Sequence, residues 1–179
     1  MPKISFASRA LAENLNDRAR FSLWGELCND VFCRMGFERP EDRPFDVTLD
    51  FLPVGVVGLG HFNGTVSRVT RSARDIAADA NDDLCFGINL TPEPIMISQA
   101  GVDYLIEDGQ AGLILHTEPF EVRAAPSNRW VTLNVPRARI VELMANAEDL
   151  LAPSPGAPCE ALQFLRRYVV SALGSAIRR

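Results

Sequence analysis

The residues in this chain best suited to metal or nucleophilic chemistry are two histidines, His61 and His116, and four cysteines, Cys28, Cys33, Cys85 and Cys159. An imidazole metal site needs several such ligands and a carboxylate converging on one ion. The two histidines are far apart, with no His-x-His pair and no carboxylate at matching spacing, so each reads as a core or pocket histidine bonded to its neighbours. The cysteines form no CxxC pair and lie in apolar contexts that favour packing over a low-pKa thiolate. There is no Gly-x-Ser-x-Gly elbow. Gly55, Gly58, Gly60 and Gly64 do not have phosphate-loop spacing and run into a strand rather than a helix, which suits close backbone approach or a bulge. Asp79, Asp82 and Asp83 lack the further ligands of a calcium loop. The expectation is a protein with no catalytic residue, no metal and no cofactor, whose function is binding.

Charge narrows the partners. The chain has 179 residues, 18 Lys and Arg against 23 Asp and Glu, and a formal net charge of −5. A module that neutralises phosphates carries a basic face, so direct nucleic-acid binding is not expected. With 47% hydrophobic and 23% charged residues the composition is that of one ordinary globular domain. No apolar run approaches the ~20 residues of a membrane-spanning helix, and no leader pattern opens the chain. A reduced, cytoplasmic protein is the expectation.

The elements that must position any site follow from periodicity. After a polar lead-in over residues 1–18, Phe21, Trp24, Leu27, Cys28, Val31, Phe32 and Met35 recur at helical spacing, predicting a helix over about 17–35. Asp17 is placed to cap its start and Gly36 to end it in the left-handed conformation. From Pro44 the period becomes two: Phe45, Val47, Leu49 and Phe51 alternate with Asp46, Thr48 and Asp50. Eight further strand-like runs follow, at about 54–62, 65–71, 84–90, 95–99, 102–107, 112–116, 120–124 and 129–135, with residues 72–80 read as a loop. Nine short strands without crossover helices predict a mainly β fold, an antiparallel sandwich or jelly-roll barrel over 44–135.

Beyond Pro136 the helical period returns over about 137–150 and again over about 159–178, separated by a Pro-rich break at 153–158. The last helix carries an apolar stripe of Leu162, Leu165, Val169, Ala172 and Leu173. Two covers are open for it: the chain's own sheet or neighbouring helix, and a second copy of the chain, which makes these residues the candidate dimer seam.

The order of these elements, with several short motifs, resembles the sensor domain of AraC/XylS-type bacterial transcription regulators over about residues 20–175. The carriers are the helix with Phe21 and Trp24; Ser67-Arg68-Val69-Thr70-Arg71; Phe86-Gly87-Ile88-Asn89-Leu90; and Gln99-Ala100-Gly101. They continue in the run from Gly109 to Thr117, in Glu118-Pro119-Phe120, and in Val131 to Arg137. Gly112-Leu113 departs from the Gly-Asp usual in that family.

The resemblance implies a cupin-like barrel that holds a small-molecule effector, helices that form a homodimer, and a separate C-terminal helix-turn-helix domain, lying outside this chain, through which DNA is reached. Pockets of this kind are mostly apolar with a few polar anchors, which nominates Phe62, Arg68, Phe86, Ile88, Tyr104, His116 and Trp130 as effector-binding residues. A one-residue slip in strand phase exchanges inward for outward residues. Two other functions stay open: a ligand-free dimerisation module, and a cupin-like metal-dependent enzyme.

Overall fold

The computed structural model describes residues 3–12, 14–142 and 160–175. Among the described residues, eleven strands form two antiparallel sheets. In chain order the elements are β1 (Ile4–Ala7), a 3-10 turn (Ser8–Ala10), α1 (Asp17–Val31), β2 (Gly36–Glu38), β3 (Val47–Val54), β4 (Val57–Gly64), β5 (Arg68–Arg71) and α2 (Ala73–Asp79). They continue as β6 (Leu84–Asn89), β7 (Ile95–Gln99), β8 (Val102–Ile106), β9 (Ala111–Leu115), β10 (Phe120–Arg123), β11 (Asn128–Val135), α3 (Arg137–Val141) and α4 (Glu160–Ser175).

One sheet, A, has the order β1-β3-β4-β11-β6-β9; the other, B, has β2-β5-β10-β7-β8. The pairs β7–β8, β6–β9, β5–β10 and β4–β11 are nested, so a long antiparallel ribbon folds over on itself and deals alternate strands to the two sheets. That is the jelly-roll path the short strands predicted. Its innermost hairpin, β7–β8, turns through Ala100 (φ 52°) and Gly101 (φ 77°), a two-residue turn with both central residues left-handed, which matches the twist of the flanking strands.

No backbone ladder joins the sheets among the described residues, and each open side is closed by other means. At the β8/β9 edges, buried side chains stitch one sheet to the other. The Tyr104 hydroxyl donates to the Leu113 carbonyl, Asn89 Nδ2 donates to the Ile106 carbonyl (3.0 Å), and Gln99 both donates to Leu115 O (2.8 Å) and accepts from Leu115 N (2.9 Å). At the β1/β2 edges α1 fills the gap: Trp24 donates from Nε1 to Phe6 O in β1 and packs edge-on against Phe37 in β2, with ring centroids 5.1 Å apart. Trp24 and Cys28 are the residues this helix buries.

Sheet A is apolar on both faces. Inside it joins the main core of Trp24, Phe45, Val47, Phe62, Val69, Ile97, Ile114 and Val122. Outside, Leu59, Ile88, Leu90 and Val131 pack under Leu165, Val169 and Ala172 of α4, and Leu84, Leu113 and Leu115 gather Phe86 and Ile140 of α3. The outer face of sheet B is charged instead: Arg68 bonds to Glu38 and to Glu121, each at 2.6 Å, and Glu121 also meets Arg123.

Four local expectations change. Residues 4–7 are a strand and not a polar lead-in, because Ile4 to Ala7 find an edge partner in β3 and Lys3 an ion pair with the buried Asp50 at 3.1 Å. The first helix stops at Val31, so Gly36 does not cap it; Gly36 lies in β2, where a Cβ would meet Thr70 Oγ1 at 2.6 Å. Its N-cap is Asn16, which accepts from Ala19 N, while Asp17 accepts from Phe45 N. Residues 73–79 are a helix where a loop was expected, started by a reciprocal capping box between Ser72 and Asp75. The remainder of the expected 137–150 helix, the Pro-rich break and Cys159 lie outside the described residues.

Candidate functional site

Between the sheets lies a cavity of about 280 Å³. Strand alternation decides which side chains reach it. On β4 and β11 these are Gly58, Phe62, Trp130, Thr132 and Asn134; on β6 they are Cys85, Gly87 and Asn89; on β3, Leu49, Phe51 and Pro53. Sheet B contributes Val69, Ile95, Ile97, Phe120 and Val122, and α1 contributes Trp24, Cys28 and Val31, with Phe32 just after it. Gly55 and Val56 of the β3–β4 hairpin, with the exposed Val31 and Val54 beside them, mark the outer end.

The lining is largely apolar and aromatic. Phe62 meets Trp24 and Trp130 edge-on at 6.4 and 5.6 Å, and Phe32 meets Phe51 at 4.8 Å. Cys28, Cys33 and Cys85 border the same space as free thiols. Burial pushes each thiol up to about 12, so they are protonated and unreactive at neutral pH.

A polar cluster sits at the end formed by Asn81, Asp83 and His116. Asn81 Oδ1 accepts from Asp83 N (3.0 Å) and lies 3.0 Å from His116 Nδ1. An oxygen there requires His116 to carry its proton on Nδ1, which leaves Nε2 as the ring's acceptor. Burial, aided by the Arg71 charge, pushes the imidazole down to about 4, so His116 is neutral. Burial, and then neighbouring Asp82, raises the Asp83 carboxyl.

Beneath this cluster Arg71 has no solvent-exposed side-chain surface, and it forms a two-point ion pair with Asp79 at 2.8 and 2.6 Å. It also donates to the carbonyls of His116 (2.9 Å) and Arg34 (2.8 Å). The Arg71 hydrogen bond holds the Asp79 carboxyl well below the usual carboxylate range. One guanidinium thereby ties together α2, the segment after α1 and the β9–β10 turn.

Of the sequence-nominated residues, Phe62, Ile88, His116 and Trp130 border the cavity. Ile88 does so with its side chain committed to the outer cluster under α4. Arg68 and Phe86 lie on outer faces, in the sheet B charge ladder and against Ile140, and Tyr104 belongs to the β8/β9 seam. Among the cavity residues that were missed are Phe51, Asn81, Asp83, Cys85, Gly87, Thr132 and Asn134. Trp130 carried the signal for two of them, since an inward residue 130 implies inward 132 and 134.

The stripe on the last helix is also located. Val169 is buried, and Leu165 and Ala172 pack with it, against the chain's own sheet A. The side chains of Leu162 and Leu173 lie outside the described residues. Phe164 and Tyr168, one turn apart on an adjacent face, are exposed.

Two facing antiparallel sheets rolled around an apolar cavity define a cupin-like domain. Within that class, a model of the AraC-binding-like domain matches residues 24–177, and the chain belongs to that family. The fold resembles the crystal structure of the AraC-like transcriptional activator CuxR, with a TM-score of 0.76 at 11% identity; the likeness covers 95% of this chain and 59% of that one. This chain therefore spans under two thirds of that protein. More distant similarity reaches the EutQ protein of Clostridium difficile (TM-score 0.40, 10% identity, 51% of this chain and 64% of that one). It also reaches the Cnp3 cupin domain of Schizosaccharomyces pombe (0.41, 4%, 58% and 76%). No curated protein sequence matches.

Proposed function

We propose that this chain is the effector-sensing part of an AraC-type transcription regulator, taking a small molecule between its sheets and passing the occupied state to its C-terminal helix. The observation that carries this reading is the double use of β4 and β11. Phe62, Trp130 and Thr132 line the cavity, while the alternating Leu59, Val131 and Leu133 support α4 on the other face. A molecule that shifts these strands alters the seat of α4, and its effect equals its difference in affinity for the two seatings. Output to DNA then runs through a helix-turn-helix domain beyond the sensing fold, and the working form is a cytoplasmic homodimer.

A metal-dependent enzyme is the rival reading. Among the described residues no three His, Cys, Asp or Glu side chains are grouped to hold an ion. His61 lies on the outer face of β4 opposite Asp50, across sheet A from His116.

Native mass spectrometry of the purified chain tests the proposal. A metal-free dimer that releases a small organic mass on denaturation is the expected result. A stoichiometric transition metal overturns the reading in favour of an enzyme.

A further inference from the structure

We propose that the cavity takes an uncharged, planar molecule of about two fused rings, laid against sheet A at Gly87 and held at its polar end by Asn134. This rests on the sensing role proposed above.

The opening follows from register. Thr132 and Gly87 are direct neighbours across β11 and β6 and both face the cavity, while the Thr132 hydroxyl lies over Gly60 on β4. A Cβ built on Gly87 meets nothing within 4 Å, so the backbone there is open to the cavity. The volume sets the size: about 280 Å³ is nearly twice the ~150 Å³ of an engineered cavity that binds one benzene ring, which gives room for two fused rings.

Polarity decides the rest. Thr132 and Asn134 project from one face of β11 toward the cavity, and neither side chain has a hydrogen-bond partner among the described residues. Half-buried polar groups of this kind gain most from a ligand that supplies the missing bond. No Lys or Arg is among the described residues lining the space, and the one carboxylate is Asp83. The nearby guanidinium of Arg71 is already held by Asp79. An anion entering the cavity loses its water without gaining a counter-charge, whereas a neutral amide, phenol or ketone does not.

Naphthalene-2-carboxamide and naphthalene-2-carboxylate, equal in shape and different in charge, test this by titration calorimetry on the whole chain. The carboxamide is expected to bind one per chain, about tenfold or more tighter than the carboxylate, a difference of about 1.4 kcal/mol. Gly87→Leu, which fills the open space, is expected to weaken the carboxamide at least about tenfold with circular dichroism and melting unchanged, and Asn134→Leu to weaken it by about fivefold. Carboxamide affinity unchanged in Gly87→Leu overturns the proposal. Equal affinity for both compounds, lost together in Gly87→Leu, overturns the charge rule and leaves the cavity reading standing. If neither compound binds, the ligand class is wrong. In that case native mass spectra of wild type and Gly87→Leu decide the parent reading: a co-purified mass that the variant lacks upholds it, and no such mass in either defeats it as well.

Discussion

Arg71 and Asp79 form a two-point ion pair in which the arginine is wholly buried and the aspartate keeps about a fifth of its side-chain surface (19%). The pair is therefore asymmetric toward mutation. Asp79→Ala strands a buried cation and is expected to cost about 3–5 kcal/mol in urea unfolding. Arg71→Met leaves Asp79 with water and the backbone donors Arg34 and Asn81, and is expected to cost about half as much. Equal losses would show that the pair acts through packing.

His116 makes stability depend on pH. Its folded value of about 4 lies below the ordinary 6.5, so between these values the unfolded chain binds the extra proton. Stability is then complete above about pH 6.5 and falls as pH drops toward 4, by about 3 kcal/mol from this residue. His116→Gln removes that part of the slope. Urea midpoints at pH 7, 5.5 and 4.5 measure it, and parallel slopes in the two proteins would exclude His116 as the source.

Gly87 and Gly112 are neighbours in one row of sheet A yet differ in tolerance. A Cβ at Gly112 meets Ile106 Cδ1 at 2.5 Å and Tyr104 Cε2 at 2.9 Å, against open space at Gly87. Gly112→Ala is expected to cost about 1–3 kcal/mol, and Gly87→Ala less than about 0.5 kcal/mol. Thermal melts of the two variants settle the order.

A second-copy seam on α4 cannot be probed at Val169, which holds the helix to its own sheet. Val169→Glu is expected to destabilise the chain by about 3 kcal/mol or more and to expose α4 to protease. Phe164→Glu with Tyr168→Glu changes exposed positions, leaves stability within about 0.5 kcal/mol, and lowers a sedimentation-measured dimer to monomer if that face is the seam.

Nine of the eleven described strands and the helix carrying Trp24 were legible in the sequence because each depends on local periodicity. β1 and β2 were not: strands of four and three residues show little alternation, and both exist by pairing with partners distant in the chain. Helix α2 escaped because it buries no residue and so has no apolar stripe; its capping box was the readable sign. The site was half legible for one physical reason. Sheet A is covered on both faces, so in β6 the bulky Leu84, Phe86 and Ile88 face the helices while the small Cys85, Gly87 and Asn89 face the cavity. The rule that large apolar residues point inward selects the wrong side of such a strand.

The same alternation separates two kinds of inheritance. In β11, Trp130, Thr132 and Asn134 face the cavity, while Val131, Leu133 and Val135 face away from it. Substitutions at the first set can drift from one chemical specificity to another across generations while the second set keeps α4 seated. On the sensing role proposed above, a lineage built on this sheet can acquire a new signal while the face that seats α4 stays as it is.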